Sequence, residues 1–223
     1  MSGNAKEGGK KAQHVRERVS DEEWKLRCQL AAAHRLVAHF VFVDMTYNHI
    51  SVRIPGEPNH FLVKAENVFM EQVTASNVVK YDVDGNQVMA SEYKASPAAY
   101  NVHAAVYKAR PDVMAVVHSH SPSVVPFGLV RAKMGAMFHN AAFLATGVPV
   151  FDIRERFGAT DLLVGDGDKG EALAETLGQK SVLTAQLSPE IAARAKELER
   201  VLAEQLPKTV DDVVEQDRKS TRL

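Results

Sequence analysis

Pro111-Asp-Val-Met-Ala-Val-Val-His-Ser-His120 is the stretch on which the reading of this chain turns. Five mostly apolar residues, Val113 to Val117, lie between Arg110-Pro111 and Ser121-Pro122, too short a run for a helix and flanked by proline on both sides. The pattern predicts a short buried strand. Side chains alternate along a strand, so His118 and His120 share a face about 6–7 Å apart, and Ser119 points the other way. Two imidazoles leaving the end of an apolar strand together form half of a metal site, since neutral imidazole suits zinc, iron, nickel and copper. The plainer reading is a pair of hydrogen-bonded histidines at a strand end.

Working outward on the N-terminal side, Ser96-Pro97 places an N-cap before a proline in the first turn, and the helix it opens runs to about Arg110. Ala99 and His103 lie one turn apart on it and share a face. Before that helix the period is two. Ile50, Val52 and Ile54 alternate with His49, Ser51 and Arg53 in a strand read as half-buried, with the second set outward. A return strand is expected over 60–64 after a turn at 56–59. Val78–Val83 and Gln87–Ala90 flank Asp84-Gly85-Asn86, a tight hairpin signal. Ser20-Asp-Glu-Glu23 is a capping box that opens a helix to about His39, with Trp24, Cys28, Ala31, Ala32, Leu36 and Phe40 expected to face the core. His34 and His39 have no ligand-spaced partner in this helix and read as packing residues.

On the C-terminal side, Ser123–Met134 is an apolar, helix-compatible segment. Val148–Ile153 reads as a strand, Gly170–Leu177 as a helix closed by Gly178, and Ser181–Thr184 as a brief strand. Ser188-Pro-Glu190 starts a last helix whose stripe is Ile191, Ala195, Leu198, Leu202 and Leu206.

The 223 residues are 45% hydrophobic and 25% charged with a formal net charge of −1, the balance of an ordinary globular domain with polar ends. That charge gives no footprint for nucleic acid or an anionic membrane. No apolar run approaches the ~20 residues of a membrane span, and residues 1–19 carry no apolar signal core. The single cysteine, Cys28, cannot form an internal disulfide, so a reducing, cytoplasmic setting is expected. The expected organisation is a disordered polar arm over 1–19, one domain over 20–206, and a disordered tail over 207–223. No glycine-rich phosphate loop is present.

From about Trp24 to about Leu183 the chain resembles the class II aldolase/adducin family. The resemblance rests on Tyr47-Asn48-His-Ile-Ser-Val-Arg53, on Glu71-Gln-Val-Thr74-Ala-Ser76 with the following Asp84-Gly85-Asn86 turn, and above all on the run from His103 through Arg110-Pro-Asp112 to His118-Ser-His120. It implies an α/β fold, a three-layer α/β/α sandwich around a mainly antiparallel sheet, often assembled as homo-oligomers. It also implies a divalent metal ion, zinc by preference, serving as Lewis acid in a lyase or epimerase that acts on small oxygenated, sugar-derived or keto/hydroxy acid substrates. By the same resemblance His118 and His120 are metal ligands, and Asn48, Thr74 and Ser76 are substrate-binding residues.

The chain departs from the family pattern in three places. The third metal histidine belongs just after the strand at 181–184, where Ala185-Gln-Leu-Ser188 follows instead, so the domain reads as shortened after about 184. Asp152, Glu155, His139, water or a second subunit would have to complete the shell. Ala99 stands where the aldolases carry an acid/base Glu. Pro97, Ala98, Glu66 and Asn67 replace phosphate-holding hydroxyls and a Thr-Gly pair, and a carboxylate at 66 repels phosphate. These departures resemble the adducin-like branch. The alternative function is therefore a non-catalytic, adducin-head-like assembly or binding module of cytoskeleton- or actin-associated type.

Overall fold

The computed structural model describes residues 14–40, 44–130 and 132–185. These fall into two units, dividing between Ser119 and His120. Of the polar arm expected over 1–19, Val15–Arg18 form a turn of 3-10 helix. Residues 1–13, the expected last helix and the tail lie outside the described residues.

In the first unit Ser20 accepts the amide of Glu23 at 3.1 Å and opens helix α1, Asp21–His39. Strand β1, His49–Ile54, turns at Pro55-Gly56 into β2, Glu57–Val63. Gly56 takes φ +80°, a conformation that costs glycine nothing. The reversal is thus tighter than the 56–59 turn expected, and Glu57 already belongs to the strand. β3 is Val79–Asp82, and of the return arm expected over 87–90 only Gln87 bridges, to Tyr81. Helix α2, Pro97–Ala109, is N-capped by Ser96 as its sequence dictates. β4, Ala115–His118, completes an antiparallel sheet in the order β3-β2-β1-β4.

Alternation then sorts the side chains. Ile50, Ile54 and Leu62 pack with Leu30 and Ala31 of α1, whereas Phe61, Val63, Val79 and Tyr81 pack with Ala99, Ala104 and Tyr107 of α2. With α1 on one face and α2 on the other, this unit is a three-layer α/β/α sandwich around an antiparallel sheet.

Covering both faces overturns two expectations. His49, Ser51 and Arg53 do not face solvent; they are buried beneath α2. The expected inner stripe of α1 is also misplaced. Of it only Ala31 is buried, while Leu36 and Phe40 are 57% and 62% exposed and Cys28 is exposed. The buried stripe is Glu23, Arg27, Leu30, Ala31 and His34. Polar residues can hold that face because each is satisfied there. Arg27 pairs with Glu23 at 2.8 Å and donates to the Val78 carbonyl at 2.8 Å, and Lys80 reaches Glu23 at 2.9 Å. His34 donates from Nδ1 to Leu30 O at 2.7 Å and accepts the Ile50 amide on Nε2 at 3.1 Å, stitching helix to strand. Burial lowers its pKa to about 4, so the ring is neutral. A third correction concerns β4. It is not a buried strand but an edge strand of this sheet, with Val117 60% exposed and Met114, just before it, 47% exposed.

In the second unit, β5 (Val150–Phe151) pairs in parallel with β6 (Thr184–Ala185). Between them lie α3, Ile153–Phe157, and α4, Gly167–Leu177, which ends at Gly178 with φ +51°. Among its described residues the apolar segment 123–134 forms one 3-10 turn, Val125–Gly128. There Gly128 lies so close to Ala185 that an added Cβ would collide with its carbonyl oxygen.

Candidate functional site

β1 and β4 run antiparallel with His49 directly opposite His118, and directly opposed residues of such a pair point to the same face. Their rings stack, with centroids 4.5 Å apart and planes 13° from parallel. From His49 a line of polar groups runs under α2. His49 Nδ1 is 2.7 Å from His103 Nε2, the other His103 nitrogen meets the Ser51 hydroxyl, and Ser51 Oγ lies 2.7 Å from the Tyr107 hydroxyl. His103 and Ser51 are fully buried, and Tyr107 nearly so.

The Tyr107 oxygen takes a bond from the Val116 amide. A neutral imidazole carries one N–H and one lone pair, so whichever way the protons run along the line, His103 donates from one ring nitrogen and accepts on the other. Desolvation, helped by the nearby His118 and His34, lowers the His103 pKa to about 3, consistent with a neutral ring. Burial pushes the Tyr107 phenol well up, against the opposing pull of its bond to Ser51. The line is therefore a fixed, neutral brace between the central strand and the helix, ending at the edge strand.

A neutral imidazole has one lone pair, and both ring nitrogens of His103 are engaged inside the line, so His103 cannot join His118 on an ion. Among the described residues no three His, Cys, Asp or Glu side chains are grouped to hold one. His120 follows β4 by two residues and opens the second unit. Of the residues considered for completing the shell, Asp152 caps α3 through the Arg154 amide at 3.0 Å and pairs with the Arg154 guanidinium at 2.7 Å. Its carboxylate is committed. Glu155 is exposed, and His139 is exposed with its edge against Phe138.

Of the other expected site residues, Asn48 immediately precedes His49 and is 1% exposed. Thr74 and Asn77 close a turn on each other, Asn77 Oδ1 accepting the Thr74 amide at 2.8 Å and Thr74 Oγ1 the Asn77 amide at 3.3 Å. Ser76 meets His14 at 3.4 Å. Ala99, on the same face of α2 as His103, is 2% exposed within the cluster of Phe61, Val63, Tyr81 and Tyr107. His49, Ser51 and Tyr107 escaped the sequence reading. The available signal was α2 itself: a helix with an apolar face needs the strand face that His49 and Ser51 occupy.

Residues 28–187 match the Class II Aldolase and Adducin N-terminal domain family. A Caulobacter vibrioides relative whose name places it with the class 2 aldolases is 44% identical over 104 residues, 47% of this chain and 40% of that protein. Alpha-adducin of Mus musculus is 39% identical over 100 residues, 44% of this chain but 14% of that protein. The chain thus spans half or less of these relatives. A solved aldolase II superfamily protein from Pseudomonas syringae superposes with TM-score 0.65 at 33% identity, covering 76% of this chain and 65% of that one. L-fuculose 1-phosphate aldolase from Glaciozyma antarctica superposes at 0.62 with 22% identity, covering 88% and 77%, a likeness of fold alone.

Proposed function

The chain belongs to the class II aldolase/adducin family, and from that premise we propose that it is a domain of the divalent-metal lyase/epimerase type with impaired proton transfer. It binds a small oxygenated molecule, sugar-derived or a keto/hydroxy acid, and turns it over poorly. The observation that carries this reading is the inner face of α2. Where an acid/base carboxylate would stand there is Ala99, 2% exposed, and His103, one turn on along the same face of α2, has both nitrogens committed inward. A general base needs free access to the substrate proton and a pKa near the working pH; His103, at about 3, has neither. Acid–base catalysis contributes about 10²–10⁴-fold, and that factor is the one withdrawn.

The test is turnover of a panel of ketose donors with aldehydes, in the presence of added zinc or manganese. Wild type is expected to match the His118→Ala/His120→Ala variant. A wild-type rate about 100-fold above that variant would overturn the reading.

A second reading, a non-catalytic adducin-head-like assembly module, is favoured by the apolar groups left outside the first unit. Leu36, Phe40, Met45 and Tyr47 are all more than half exposed. It predicts a homo-oligomer that Leu36→Lys/Phe40→Asp dissociates, as read by light scattering.

A further inference from the structure

We propose that the cleft beside the N-terminal end of α2 takes an unphosphorylated sugar acid, which deepens and rests on the ligand-binding reading above. The cleft has a volume of about 630 Å³, within the range of small-molecule sites, and its lining includes Glu66, Tyr81, Asn86, Lys94, Pro97 and Tyr100.

Its chemistry comes from a loop fixed from beneath. The buried ammonium of Lys64 donates to Ala65 O at 3.0 Å and Val68 O at 2.6 Å. Between them the chain turns through Asn67 at φ +58°, a left-handed conformation that asparagine tolerates. The Glu66 amide donates to Lys94 O at 2.7 Å, so the two segments that carry the cleft's charges are tied together by their backbones. Their side chains are not. Glu66 and Lys94 are exposed, and among the described residues neither forms an ion pair with the other or with a third group. Tyr100, also in the lining, stacks on Tyr81, centroids 5.2 Å apart and planes 14° from parallel, and its hydroxyl has no protein partner among the described residues. Tyr81 is immobilised by burial and by the Ala95 amide on its oxygen.

One carboxylate acceptor, one ammonium donor and a rigid aromatic wall select a narrow ligand class. A carboxylate accepts hydrogen bonds from ring hydroxyls, and a lysine holds one carboxylate charge. An aromatic ring supplies a large apolar surface for the C–H face of a sugar. A phosphate ester is disfavoured, because Glu66 repels its charge of about −1.5 to −2 more strongly than the single charge of a carboxylate.

The test is calorimetric titration of the full chain with D-glucuronate, D-glucose and D-glucose 6-phosphate, which differ only at the sixth carbon. Glucuronate should bind tightest and the phosphate ester weakest. Lys94→Met should reduce glucuronate affinity at least about tenfold while sparing glucose, and Glu66→Gln should weaken both. Both residues are exposed, so unchanged melting curves will show that the variants fold. The proposal is overturned if glucose 6-phosphate binds as tightly as glucuronate. It is also overturned if glucuronate binding survives both substitutions but is lost in His118→Ala, a result that leaves the ligand-binding reading standing. Absence of saturable binding by all three sugars overturns both.

Discussion

The two faces of the four-stranded sheet bury polar groups in opposite ways. Under α1 the charged groups close on themselves: Glu23 is held by Arg27 and Lys80, and Lys80 also by Glu57 at 2.7 Å, while the neutral His34 bonds backbone at both ends. Under α2 a neutral series runs from Tyr107 to His49, ending against His118 at the sheet's edge, and the one charge beside it, the Arg53 guanidinium, is held by backbone carbonyls and the Tyr107 ring. A closed set of charges fixes a helix to a sheet. A neutral series that reaches an edge instead presents one ring, His118, where a ligand can meet it. The first face is thus expected to carry stability and the second to carry whatever chemistry remains.

The largest effect that would break this contrast is on the closed face. Arg27→Ala leaves Glu23 buried with only Lys80 and strips a donor from the Val78 carbonyl, so it should cost about 3–5 kcal/mol in urea unfolding. Next comes the helix on the other face. Ala99→Glu places a carboxylate among Phe61, Val63 and Tyr81, and is expected to destabilise by about 2–4 kcal/mol without creating turnover. That loss should be smaller at pH 5 than at pH 8, since the buried carboxyl is easier to accommodate protonated.

Acid is the third probe. The folded pKa of His34, about 4, lies below its ordinary 6.5, so the unfolded chain takes up the proton first as the pH falls. The stabilisation is complete above pH 6.5 and is lost progressively down to about pH 4, by about 3 kcal/mol in full. His103, lowered to about 3, acts in the same direction. Urea midpoints that stay flat across this window would show that neither ring is held neutral. The smallest expected effect sharpens the contrast: His118→Ala, at the half-buried end of the series, should shift stability by less than about 1 kcal/mol.

The helices were legible in the sequence because their caps are local chemistry. Ser20 and Ser96 each accept the amide three residues on, as their spacing dictates. What was not legible was facing. The stripe of α1 was assigned by hydrophobicity, yet Arg27 and His34 lie inside because Val78, Leu30 and Ile50 supply partners that only the assembled fold brings near. The same blindness turned His49, Ser51 and Arg53 outward. A period of two says which residues share a face but not whether that face meets water. Arg53 shows the cost of assuming that it does. Its guanidinium lies 4.6 Å from the centre of the Tyr107 ring and donates to the carbonyls of Val113, Tyr107 and Arg110. His118 was found by its motif, but its stacking on His49 depends on strand register, which no local pattern encodes.

The pairing of β4 with β1 also bears on the order in which this unit assembles. β1 and β2 meet across a two-residue turn, whereas the His49–His103 bond joins residues 54 positions apart and His118 arrives later still. Closing the longer loop costs more entropy before any contact rewards it, so the hairpin is expected to nucleate and β4 to dock last. A short edge strand that docks last is also the first to open in the native ensemble. Amide exchange should therefore be faster at Val117 than at Leu62, and the histidine end of the polar series would be the part of this unit that samples open states most often.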